Sequence, residues 1–187
     1  MAEIDTRSLR NVLGCYATGV AVIATRTAAM EHVGVTVNSF SSLSLDPPLI
    51  LFSLVKTAGV LPHFQRAEHF SVNILSHKQE AISNMFARPS TASWDTVDHV
   101  EGENSCALIS GCLAQLECRR HEEVDGGDHR ILIGAVVRYH LLEPAHPLLF
   151  YRGRYGTYTR DVWGSTPPLN SSLSDLTTPD PTAPGWG

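Results

Sequence analysis

Residues 34–48 read GVTVNSFSSLSLDPP, and this run limits what the chain can become more than any other. Val33, Val35 and Val37 alternate with Gly34, Thr36 and Asn38, the two-residue period of a strand with one buried face. Asn38, Ser39, Ser41, Ser42 and Ser44 then crowd short hydroxyl and amide side chains together. Asp46-Pro47-Pro48 stops the run, because proline lacks the amide donor and pushes the residue before it out of helical space. A second strand, residues 49–54 (LILFSL), follows at once. Two readings of the serines stand side by side. They make a turn between strands, or they form a cradle in which short side chains let backbone N–H groups approach a polar ligand.

The rest of the chain repeats the strand pattern. Asp5 or Thr6 can cap a first helix whose Leu9, Val12, Leu13, Tyr16 and Ala17 form one apolar stripe, with Gly19 placed to end it. Residues 19–26 read as a buried strand, and a hairpin loop near Ala28-Ala29-Met30 leads to the Gly34 strand. A short helix is expected over 59–66 and another strand over 70–75. Ser76 and Gln79 form a capping-box pattern for a helix with Ala81, Ile82, Met85 and Phe86 facing inward. Residues 88–105 are poor in apolar side chains and read as an irregular surface loop. In residues 112–119, Cys112, Ala114, Leu116 and Cys118 alternate with Gln115, Glu117 and Arg119. The return strand, 130–142, is apolar on both faces in its middle, so it is either central or buried in a subunit contact. Residues 124–128 form the connecting loop, and 148–151 and 155–158 supply two last strands.

Many short strands with few helices predict a mainly β, antiparallel barrel. At 187 residues the chain fits one domain, residues 1–160. From Trp163 onward Pro, Ser, Thr and Gly take over, and residues 161–187 are expected to be a disordered tail.

Composition removes several function classes. A formal charge of −5 and the lack of a Lys/Arg-rich stripe argue against nucleic acid as a partner. No apolar run approaches the length of a membrane span, and the acidic N-terminus has no secretory h-region, so the expected compartment is the cytoplasm. The four cysteines form no CxxC pair and read as reduced core thiols. There is no GxGxxG, Walker A loop, GxSxG elbow or HExxH. His121, Glu122, Glu123, Asp125, Asp128 and His129 cluster near a hairpin tip, where charged residues belong in any case, and no metal is expected.

Five segments, in order, resemble the flavin reductase-like family: ATGVAVIAT (17–25), GVTVNSFSSLSLDPPLILFSL (34–54), FSVNIL (70–75), GDHRILIGAV (127–136) and PLLFYRGRY (147–155). Its members are small NAD(P)H:flavin oxidoreductases that serve two-component monooxygenases and halogenases. The resemblance implies a split β-barrel of Greek-key type, a homodimer, and a flavin reductase using FMN or FAD with NADH or NADPH. Reduced flavin would pass by diffusion to a partner oxygenase or halogenase. Tightly held flavin acting on a small molecule, or a non-catalytic flavin- or haem-binding module, are the alternatives.

Site residues follow from the same resemblance. Thr36, Val37, Asn38 and Ser39 would line the flavin ring and ribityl chain, with Ser42 nearby. Ser53, Lys56 and Thr57 would hold the phosphate, although Ala58 stands where many members have a hydroxyl. His129, after Gly127-Asp128, would contact the incoming nicotinamide cofactor. Phe86 and Tyr155 are further positions that match. Taken without the family, Lys56 is a solvated loop lysine and His129 a hairpin-tip histidine.

Overall fold

The computed structural model describes residues 4–88, 92–142 and 145–158. The tail over 161–187 and the domain boundary before it lie outside the described residues. The first helix, α1 (Thr6–Leu13), is capped by Asp5, whose carboxylate accepts the Ser8 N–H at 3.0 Å. It ends at Gly14 and not at Gly19, because Cys15 and Tyr16 bond back to Val12 and Leu13 and the chain then extends. None of its residues is buried, so its apolar stripe faces outward.

The described residues form twelve strands. β1 (Thr18–Gly19), β2 (Ala21–Arg26), β3 (His32–Val37), β4 (Ser41–Leu45) and β5 (Pro48–Val55) lead to helix α2 (Leu61–Arg66). β6 (His69–Ile74) precedes helix α3 (Glu80–Phe86), which the Ser76/Gln79 capping box introduces. β7 (His99–Glu101) and β8 (Ala107–Ile109) form a small ribbon, and β9 (Ala114–Gly126) and β10 (His129–Leu141) a long hairpin. β11 (Leu149–Tyr151) and β12 (Arg154–Gly156) pair with each other at the end of the described chain, and β11 pairs with β1.

The main sheet is antiparallel, in the order β3-β2-β6-β9-β10-β5-β4. The packing around β2 explains why residues 20–24 are apolar at every position. Ala21 and Ile23 enter one core with Phe52, Phe70 and Leu132, whereas Val20 and Val22 enter a second with Leu75 and Phe86. Each such fully buried aliphatic or aromatic side chain stabilises the fold by about 1.5–3 kcal/mol. Gly34 and Gly134 make these cores possible. A Cβ on Gly34 would stand 2.8 Å from the Phe86 ring, and one on Gly134 would overlap the tip of Phe70.

The sheet is mainly β as expected, but it does not close through backbone ladders. At the end of β3 the Ser39 hydroxyl donates to the Ser53 carbonyl at 3.1 Å and accepts the Ser53 N–H at 3.0 Å. A side chain thus stands in for the ladder where β3 approaches β5, and the barrel is split there.

Four other expectations need correction. The serine run is not a turn, since residues 41–45 pair with β5 as a strand. Residues 88–105 are not all loop. Trp94 stacks on Phe86 with ring centroids 4.5 Å apart, Val97 is buried, and β7 follows. These apolar residues are too few and too irregularly spaced to show a period. In α3, Ala81 is exposed and Ser83 is buried in its place. The hairpin loop is only Gly127-Asp128, because β9 continues to Gly126 on cross-strand ion pairs, such as Arg130 with Asp125 at 3.2 Å, and not on apolar alternation. β10 lies between β9 and β5, with Leu132 and Gly134 buried on one face while Val137 and Tyr139 are exposed.

Candidate active site

The split between β3 and β5 opens into a cavity of about 700 Å³, within the range of roughly 300–1,000 Å³ usual for small-ligand sites. The end of β3 brings Thr36, Val37, Asn38 and Ser39 to one wall. The end of β5 and the turn after it bring Ser53, Leu54, Val55 and Ala58 to the other. His129 joins them because β10 pairs with β5 in a register that sets His129 opposite Val55.

Each polar group is held differently. The Thr36 hydroxyl donates to the Ser83 carbonyl at 2.7 Å, and the Ser83 hydroxyl meets the Tyr155 hydroxyl at 2.8 Å. The Ser39 hydroxyl is spent on the seam, so what it offers a ligand is its backbone. The Asn38 carboxamide, by contrast, has no hydrogen-bond partner among the described residues. His129 Nδ1 lies 2.7 Å from Asp128 Oδ1, which fixes the ring's orientation at the cavity edge. That hydrogen bond holds the Asp128 carboxyl below its usual range.

Of the residues matched to the family, the structure gathers Thr36, Val37, Asn38, Ser39, Ser53 and His129 around one cavity. It leaves the others outside the lining. Ser42 sits in β4 opposite Ile50. Lys56 reaches away to Asp125, Nζ to Oδ2 2.8 Å, and this bond lowers the Asp125 carboxyl below its ordinary value. Thr57 follows Lys56 in the turn. Phe86 is fully buried beneath Gly34, and Tyr155 acts on the wall only through Ser83.

The sequence reading missed Val35, Leu54, Val55, Gly59, Val60 and Ala87, which also line the cavity. Nothing distinguishes a valine that faces a cavity from one that faces the core, since both obey the same strand period. Ala58, noted only as a missing hydroxyl, lines it too.

An apolar slot with short donors along one edge fits a flat heteroaromatic ring with a polar rim. The donor set therefore suits a flavin. Among the lining residues His129 is the one titratable group. The cysteines are no nucleophiles for this site: burial pushes the thiols of Cys106, Cys112 and Cys118 up to about 12.

Residues 13–159 match the flavin reductase like domain, and the chain belongs to that family. It is 41% identical over 160 residues to the FMN reductase (NADH) SmoA of Agrobacterium fabrum, covering 83% of this chain and 88% of that one. It is 40% identical over 161 residues to the reductase component of the flavin-dependent trigonelline monooxygenase of Acinetobacter baylyi, covering 84% of this chain but 52% of that protein. Among solved structures, the NADH:FAD oxidoreductase SgcE6 of Streptomyces globisporus, in complex with NAD and FAD fragments, superposes with a TM-score of 0.79. It shares 37% identity over 86% of this chain and 99% of that one.

Proposed function

We propose that the chain is an NAD(P)H-dependent flavin reductase that reduces FMN or FAD and releases the product to a partner oxygenase or halogenase. The observation that carries this reading is the lining of the seam cavity: apolar walls, short polar groups along β3, and one titratable side chain. Such a lining holds no nucleophile and no acid–base pair, so the reaction it suits is one its ligands bring with them. A bound flavin supplies the acceptor for a hydride from the nicotinamide. Val35, Val37, Leu54 and Val60 exclude water from the ring's edges, and Asn38 turns its free amide to the polar rim. His129, oriented by Asp128, meets the second cofactor at the open side. The names of the relatives support the same reading. Reduced flavin that leaves must be held moderately, in the micromolar regime of about −8 kcal/mol.

The test is steady-state oxidation of NADH and NADPH with FMN, FAD and riboflavin, beside flavin affinity by fluorescence quenching. Turnover with at least one pair and micromolar flavin binding are expected. Absence of both with every pair would remove the reading.

The reading includes a homodimer. The outward stripe of α1 (Leu9, Val12, Leu13, Tyr16) and the exposed Val137, Tyr139 and Leu141 of β10 leave apolar surface that a second copy would cover. Sedimentation at micromolar concentration should give twice the chain mass. No helix among the described residues is long and apolar enough to cross a membrane. A cytoplasmic site of action agrees with the need for a nicotinamide pool.

A further inference from the structure

His32, Gly34 and Thr36 share one face of β3, by the two-residue period of a strand. α3 and the segment around Trp94 press on all three. The Thr36 hydroxyl donates to the Ser83 carbonyl at 2.7 Å. Gly34 admits the rings of Phe86 and Trp94, each of which would stand 2.8 Å from a Cβ placed there. His32 packs on Trp94 with ring centroids 5.4 Å apart, and Trp94 lies 4.5 Å from Phe86 and 5.1 Å from His99 in the same measure. β3 is thus clamped at every second residue. Val35, Thr36, Val37 and Ala87, the residue after Phe86, line the seam cavity, whereas His32 and Trp94 do not.

The His32 end of the clamp is polar. Its Nε2 lies 3.3 Å from Arg26 Nη2. A guanidinium only donates, so Nε2 accepts and the proton of the neutral ring sits on Nδ1. That Nδ1 is buried without a hydrogen-bond partner among the described residues, and so is Arg26 Nε. The charged and titratable groups facing the ring are Arg26 of β2 and, from β7, Glu101 at 4.0 Å from Nε2 and His99 at 5.1 Å ring to ring. Glu101 is itself paired with Arg26. Asp95 and Asp98 line the cleft beside the imidazole, through which protons reach it. A proton added at Nε2 sets donor against donor at Arg26. The ring is relieved by turning toward Glu101 and off Trp94. Burial first, then Arg26, already hold its pKa below the ordinary value.

We propose that His32 and Trp94 are positioning residues for the seam cavity: they hold its β3 wall from behind, and protonation of His32 loosens that wall and weakens the ligand bound against it. The inference rests on the reductase reading only for the identity of that ligand as a flavin. By reciprocity, a bound flavin makes His32 harder to protonate.

The probe is riboflavin, which has no phosphate to titrate near pH 6, followed by fluorescence quenching with the full chain at pH 7.5 and 5.5. Wild type should bind it about threefold more weakly at pH 5.5, and His32→Gln should bind it equally at both. Trp94→Leu should weaken riboflavin about fivefold at pH 7.5 with no further loss in acid, and Trp94→Phe, which keeps a ring on Phe86, should restore both the affinity and the pH response. Equal affinity at the two pH values in wild type would overturn the inference even if Tm moves, since His32 would then serve the fold alone. A pH response that survives in His32→Gln would belong to His129 and overturn it too. A second readout needs no ligand. With Trp163→Phe and Trp186→Phe in place, Trp94 is the one tryptophan left, and its emission should shift to the red between pH 7.5 and 5.5 and stay fixed once His32→Gln is added. A fixed emission with His32 present would overturn the clamp. Failure of the reductase reading looks different: no flavin binds at either pH, while the Trp94 shift and its dependence on His32 remain.

Discussion

The β9–β10 hairpin carries charge at both ends, in water at one and in the interior at the other. At the turn, Asp125 gathers Lys56 and Arg130 at 2.8 and 3.2 Å, with Asp125 and Lys56 exposed and Arg130 half-buried. Toward the other end, Glu117 is 1% exposed. Its carboxylate accepts the Asn104 N–H at 2.9 Å and meets His140 at 3.2 Å and Arg138 at 3.7 Å. The two ends teach different things about the same interaction. Exposed charges shape the approach to the site and add little to the fold, since water and salt screen them. A buried carboxylate must be satisfied or the fold loses several kcal/mol.

The largest expected effect is at the buried end. Glu117→Ala strands the Asn104 N–H and should cost about 3 kcal/mol, read as a lower urea midpoint at unchanged m-value, with flavin affinity kept in the protein that remains folded. A loss near zero would erase the contrast between the ends. Next comes the site-facing histidine. His129→Ala should lower kcat/KM for the nicotinamide cofactor about 10- to 100-fold, roughly 1.4–2.7 kcal/mol, by raising KM and with Tm unmoved. Lost flavin binding would assign His129 to the other ligand.

His32 lies between these extremes. Burial first, then the neighbouring Arg26 and His99, lower its pKa below the ordinary value, against an opposing pull from Glu101. The unfolded chain therefore binds a proton near pH 6.5 that the folded chain refuses. Its contribution to stability is complete above pH 6.5 and declines as pH falls from there toward the folded value. Melting from pH 7.5 to 5.5 should show Tm of His32→Gln rising relative to wild type as pH drops. A constant difference would show that the imidazole is solvated like the hairpin turn.

The smallest effect is expected at the turn. With its ammonium on Asp125, Lys56→Met should weaken FMN relative to riboflavin by no more than about threefold. A tenfold loss confined to FMN would show that Lys56 leaves Asp125 for the phosphate.

Strands 70–75 and 130–142 were legible because apolar residues at period two have few other uses. The polar residues that line the seam cavity were legible because short side chains gather just where β3 ends. The segment around Trp94 was not, since one tryptophan and one valine without a period do their packing through tertiary neighbours. The extra turn-end pairs of β9 were hidden too, because charged residues in a ladder look like those in a loop.

The placement of the cysteines bears on how long such an enzyme lasts. Reduced flavin set free in air reacts with dioxygen and yields hydrogen peroxide, so a reductase of this kind works in a cloud of oxidant of its own making. Peroxide attacks thiolates at accessible sulfur. Cys106, Cys112 and Cys118 are both buried and fully protonated at neutral pH, and they are spared twice over. Cys15 alone stands in the open, against Arg152. Ageing under turnover should begin at that corner of the molecule and leave the barrel's interior chemically young.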